Sequence, residues 1–234
     1  LFDNETDKSL SLLAKLQEKK LGSFFNSELK DLEDSLLKKD DLTHSTFLNL
    51  HRMESERLNF LIENDRQNKA VDYILKQSEY LVFHFLIHLS NAQNNIKINE
   101  DAFNVKFDKN LVKEFIANSN IKSIVEFINN NECEFAPLIL IHYYKMMCSL
   151  YPENEEYYFK LKEFLYKNIP FINKLELYSI ITAMEVYCTS KLANGETKFY
   201  KELFEIYKLT VSYGTFLKGS PPRITAIKFR NIYT

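Results

Sequence analysis

Apolar residues recur every three or four positions along most of this chain, the period of a helix with one buried face. Residues 7–20 place Leu10, Leu12, Leu13 and Leu16 near one side, and Gly22 reads as the stop of that helix. A second helix is expected from about Asn26 to Leu42, with Leu29, Leu32, Leu36 and Leu37 as its stripe, and a third from Thr43 to about Asp65, with Phe47, Leu50, His51, Leu58, Leu61 and Ile62 inward. Residues 69–90 carry the strongest pattern. Val71, Ile74, Leu75, Val82, Phe85, Leu86 and Leu89 keep helical spacing, and Leu81 and Phe83 widen the stripe. A helix apolar over most of its circumference is expected to be packed on several sides, so this one is placed at the centre of the N-terminal half.

The pattern breaks over 91–108, where Asn91, Asn94, Asn95, Asn99, Glu100 and Asp101 are interrupted by Ile96, Ile98 and Phe103. This stretch is expected to hold the end of the preceding helix or a docked extended piece, and to separate an N-terminal half, 1–108, from a second half, 109–234. Helical periodicity resumes at Lys109–Asn118, Ile121–Asn130 and Ala136–Leu150, the last apolar nearly all round and therefore a second core helix. Pro152 suits the first position of the next helix, where its missing N–H costs nothing, and Glu153, Glu155 and Glu156 complement that helix's dipole. Pro170 closes it. Asn173 and Glu176 have capping-box spacing and open a helix to about Ala193, which Asn194-Gly195 ends. Thr197–Tyr213 follows, closed by Gly214. After Gly219-Ser220-Pro221-Pro222, Ile224, Ile227 and Ile232 predict one more helix, cut at Thr234. The chain opens without Met, as expected of a processed or excerpted chain, and the helix cut at Thr234 predicts that the natural chain continues past it.

Composition supports helices throughout. Only 4 Gly and 5 Pro stand in 234 residues, too few for the turns of an all-β chain. A hydrophobic fraction of 45% and an aromatic fraction of 14% are enough for a packed core and exclude disorder over the whole length. The net charge of −2 provides no global attraction to nucleic acid or anionic membrane. The longest apolar runs, Tyr80–Leu89 and Pro137–Met147, are shorter than the roughly 18 residues of a bilayer span. Cys133, Cys148 and Cys188 form no close pair, which predicts free thiols in a reducing compartment, the cytoplasm.

From Ile121 on, helix pairs follow one another at about 40 residues each, within the range of helical repeats. Leu175–Tyr213, with Tyr178, Ala183, Tyr187, Phe199, Leu203, Tyr207 and Gly214 in a helix–turn–helix frame, resembles the tetratricopeptide-like (TPR-like) helical-hairpin superfamily. The resemblance implies an all-α fold, in which consecutive antiparallel hairpins stack as a right-handed superhelical α-solenoid, and a surface that binds protein segments. The small residues of the strict repeat are absent at its spacing, so no binding residue carries over to a numbered position.

Candidate chemistry is sparse. His84 and His88, four apart, could share a zinc ion, but they lack a third ligand and read as rings at the edge of a core helix. His51 and Glu54 reverse the Glu-x-x-His order of carboxylate-bridged metal bundles and read as an intrahelical pair or a solvated charged face. A thiol with His142 as its base has no local support. Four isolated Gly exclude a phosphate loop. Tyr207–Thr234 holds Lys208, Lys218, Arg223, Lys228 and Arg230, no acid, and interleaved aromatics. That pattern suits phosphate and base contacts or an acidic protein partner. The sequence therefore predicts a non-catalytic protein-interaction scaffold, with no cofactor, metal or membrane and with another protein as partner. A helical-bundle metal protein or enzyme and an RNA-binding helical repeat are the alternatives.

Overall fold

The computed structural model describes residues 4–38, 44–64, 67–107, 109–131 and 133–213. Among these residues every regular element is helical. The long helices are α1 (Asn4–Glu18), α2 (Gly22–Leu36), α3 (His44–Glu63), α4 (Ala70–Phe103), α5 (Leu111–Asn118), α6 (Ile121–Asn130), α7 (Ala136–Leu150), α8 (Glu155–Asn168), α9 (Lys174–Ala193) and α10 (Phe199–Tyr213). The protein is thus all-α, and no described helix is long and apolar enough to cross a membrane. The helix expected around Ile224–Ile232 lies outside the described residues. Packing divides the chain into two compact units, Leu1–His88 and Leu89–Thr234, which part within α4.

In the first unit, α2 buries Phe25, Leu29, Leu32 and Leu36, one face at helical spacing, and α3 buries Phe47, Leu50, Met53, Leu58 and Leu61. Phe25 stacks on Phe60 at 4.1 Å, and Glu33 meets Arg57 at 2.7 Å. Positions rising along α2 therefore meet positions falling along α3, and the two helices are antiparallel. The same holds for α3 and α4, where Phe47 meets Phe83 edge-on at 5.7 Å and His51 meets Gln77 at 2.9 Å. Gly22 does not stop α1. That helix ends at Glu18, the chain turns through Lys20 in the left-handed region (φ 57°), and Gly22 is the first residue of α2. A Cβ there would sit 3.3 Å from the Phe60 ring, so glycine serves the close approach of α3.

The first half of α4 departs from expectation. Its inward face is Tyr80, Phe83, Leu86 and Ile87. Val71, Ile74, Leu75, Leu81, Val82 and Phe85, expected in the core, are between 40% and 61% exposed. The helix is packed on one side, not several.

In the second unit the polar stretch after Ser90 is helical as far as Phe103. The apolar pattern fails there because the inward positions are polar. Ser90, Gln93 and Asn94 are buried, Ser90 Oγ donates to the His142 carbonyl at 2.6 Å, and the Gln93 amide reaches Ser149 Oγ at 3.5 Å. Helix α7 is buried nearly all round, as its sequence predicts, and packs against α6, α8 and α9. Tyr151 meets Tyr157 at 6.2 Å and Tyr144 meets Phe164 at 5.6 Å, so α7 and α8 are antiparallel. Glu155, Tyr158 and Lys162 of α8 meet Lys198 just before α10 and Glu202 and Glu205 within it, in that order, which makes those two helices parallel. Tyr158 lies flat on Tyr187 at 5.0 Å, with Phe199 edge-on to both at 5.8 Å.

The helix ends follow local chemistry. Asn173 Oδ1 accepts from the Leu175 and Glu176 amides, and Gly195 takes φ 86° just past α9, both as expected. Pro152, however, stands in the turn before α8. Asn154 supplies that cap through the Glu156 amide at 3.1 Å, and its side chain is an acceptor that Pro152 lacks.

Two substitutions on α4 test which face is inward. Phe83→Ala is expected to lower the unfolding free energy by about 3–5 kcal/mol. Leu75→Ala should change it by less than about 0.5 kcal/mol. Equal losses in urea titrations would mean that both faces are packed.

Candidate functional site

Among the described residues of the first unit, large apolar side chains are exposed along the outward side of α4. Val71, Ile74, Leu75, Leu81, Val82 and Phe85 fall at steps of one, three, four and six, and so share one half of the helix surface, opposite Tyr80, Phe83 and Ile87. From Val71 to Phe85 the stripe is about 21 Å long at the α-helical rise. Ser78 lies at its middle and satisfies its own hydroxyl on the Ile74 carbonyl at 2.9 Å. Asp72 and Glu79 are exposed along one edge. Periodicity grouped these six with Phe83, Leu86 and Leu89 as one inward stripe, whereas those three are buried and these six turn outward.

Beneath the opposite side of the same helix is a polar cluster. Arg57 holds Glu33 at 2.7 Å and Glu54 at 2.9 Å, and its guanidinium lies 4.5 Å above the Tyr73 ring. Glu54 is fully buried, which corrects the solvated-face reading. Burial pushes its carboxyl up, and the Arg57 charge pulls it back. His51 Nδ1 meets the Gln77 carbonyl at 2.9 Å, and the Gln77 amide donates to Ser55 Oγ at 2.5 Å. The spacing Leu50, Glu54, Arg57, Leu61 was the available signal for these inward charges, and it was masked by their polarity. Buried ion pairs of this kind are strongly destabilising to break but are weak evidence for function.

His84 and His88 lie with rings 4.3 Å apart, one half-buried and one exposed. Among the described residues no three His, Cys, Asp or Glu side chains gather into a metal-holding group.

The second unit carries a buried cation that sequence reasoning missed. Lys145 of α7 is 1% exposed, and its ammonium donates to Asn91 Oδ1 at 2.6 Å. Burial pushes the lysine down to about 8, and Glu176 pulls it back. One turn away, His142 Nε2 lies 3.8 Å from Glu176 Oε2, both residues buried. These groups tie α4 and α9 to α7. The cleft beside Lys145, Cys148 and Tyr158 holds about 30 Å³, space for one or two waters.

The thiols are not poised as nucleophiles. Burial pushes the Cys188 thiol up to about 11, and its S–H donates to the Tyr158 hydroxyl at 3.4 Å. Cys148 is buried and raised further by the same cause. Of the basic C-terminal residues, Lys208 is exposed on α10 with its ammonium 4.4 Å above the Phe204 ring. Lys218, Arg223, Lys228 and Arg230 lie outside the described residues. No protein-family model, curated protein or solved structure matches this chain.

The lysine gives a pH signature. Below pH 8 the folded protein keeps the Lys145 proton and bears the full desolvation cost. Between about 8 and the ordinary 10.5 the folded state has released a proton that the unfolded state retains, so stability rises with pH. Relative to Lys145→Met, the wild type is expected to gain up to about 3 kcal/mol across that window. Urea titrations of both proteins at pH 7, 8, 9 and 10 measure it, and parallel profiles would show that the ammonium is solvated.

Proposed function

We propose that this chain is a non-catalytic protein-interaction scaffold whose docking face is the outward side of α4. The observation that carries the reading is the exposure of six large apolar side chains on one helical face, Val71, Ile74, Leu75, Leu81, Val82 and Phe85. Single exposed apolar residues are ordinary on a protein surface, but a contiguous stripe marks a contact site.

In this reading the hairpins of the second unit stack as in a TPR-like α-solenoid. Support comes from the parallel run of α8 and α10, the second helices of consecutive pairs, together with the packing of the first helices, α7 and α9. Stacking of that kind repeats one hairpin geometry along the chain. The buried charges fit a structural role, since Lys145 and Arg57 are each held by partners within the core. The buried thiols of Cys148 and Cys188 suit the reducing cytoplasm, where we place the protein.

Affinity capture from the native cell lysate tests this, with wild type, Leu75→Glu/Val82→Glu, and a control substituted at the exposed Lys122. Wild type and control should retain the same protein partner at moderate salt, and the stripe variant should lose it at least tenfold while keeping its helical circular dichroism. Retention of the same proteins by all three would overturn the docking role of α4.

A further inference from the structure

We infer that the occupant of the α4 stripe is an amphipathic helix of another protein whose apolar face is bordered by lysine or arginine. The inference rests on the stripe being a docking face. Its shape selects a helix. The apolar positions form a ridge about 21 Å long, with Ser78 as a shallow dip in its middle, and ridges at this spacing interlock with the grooves of a second helix. The small, internally bonded Ser78 lets a partner backbone come close without leaving a polar group unsatisfied.

Charge selects the kind of helix. Asp72 and Glu79 border the stripe and are exposed, and Lys76 beside them is turned to Glu33 at 3.8 Å. Among the described residues of the first unit 12 acidic side chains stand against 10 basic ones, so the charge at this edge of the stripe is set locally by Asp72 and Glu79. A cation-edged helix is steered to such a surface and paired on it.

The same edge argues against a second copy of this chain. In an antiparallel self-pair, Asp72 and Glu79 would face the same two carboxylates. In a parallel one they would face the opposite edge, which carries Gln77, His84 and His88 and no lysine or arginine.

Fluorescence anisotropy with three designed helical peptides tests the inference on the whole chain. One has a Leu/Ile stripe edged by Lys, the second the same stripe edged by Glu, and the third Lys edges with the stripe replaced by Ser and Gln. The Lys-edged apolar peptide is expected to bind about five- to tenfold tighter than the Glu-edged one at low salt, as two exposed ion pairs allow. The third should not bind. Asp72→Lys/Glu79→Lys should reverse the order of the first two, and Leu75→Glu should abolish both. Equal binding of both apolar peptides, lost in Leu75→Glu, would overturn the charge preference and leave the docking face standing. No binding by any peptide would overturn the helical occupant. Binding indifferent to Leu75→Glu would overturn the docking face itself. A concentration-dependent dimer in sedimentation, abolished by Leu75→Glu, would identify a second copy as the occupant and overturn the inference.

Discussion

The second unit depends on α7 having no outward side. Ten of its fifteen residues are buried, from Ala136 to Cys148, so the neighbouring helices take their positions from it. A helix surrounded in this way must satisfy every polar group it carries without water. Lys145 is placed where Asn91 of α4 and Glu176 of α9 converge, and the His142 carbonyl accepts from Ser90. The polar residues at the end of α4 are thus matched to α7. Asn91 is the partner that allows a lysine to stand on a central helix, and Ser90 satisfies a backbone carbonyl of that helix.

A second arrangement extends outward from that helix. Tyr158, Tyr187 and Phe199 bring α8, α9 and α10 together as an aromatic core, in which stacked and edge-on rings combine large apolar area with defined orientation. The tyrosine hydroxyls are led to acceptors, Tyr158 to Glu202 and Tyr187 to the Pro152 carbonyl. Pro152 has its structural use here, in the turn between α7 and α8. Lys162 then bridges Glu202 and Glu205 at 2.6 Å and fixes the register of α10 along α8.

Much of this was legible in the sequence, and what was not has a physical reason. Helix existence and most boundaries follow from period, and the Asn173 cap and the Gly195 stop follow from local chemistry that acts over two or three residues. Periodicity fails where a face is read from polarity alone. Helix α4 has two apolar sides, and nothing local distinguishes Phe83, buried, from Phe85, exposed. The converse failure is Ser90, Gln93 and Asn94, which are inward but polar, so a helix interior resembled a linker. Glu54 was read as solvated and Lys145 was passed over, because their burial depends on partners distant in sequence, Glu33 acting through Arg57 in one case and Asn91 with Glu176 in the other. The apolar residues of α4 were visible in the sequence, and the fold divides them into a buried and an exposed side.

Magnitudes decide what that stripe can do. Fully burying a Val, Leu, Ile or Phe side chain is worth about 1.5–3 kcal/mol. These side chains are already about half covered, so each has on the order of 1 kcal/mol left to gain. Six of them give roughly 6 kcal/mol, and the apolar face of a partner helix contributes a similar amount. Association consumes about 4–15 kcal/mol of this in lost freedom. The remainder corresponds to weak, reversible binding. In that regime the edge charges matter, because a change of about 1 kcal/mol from Asp72 and Glu79 alters occupancy several-fold. Ser78 within the stripe and Asp72 and Glu79 along its edge limit the continuous apolar surface of the free protein. This lets the stripe face water in the free protein.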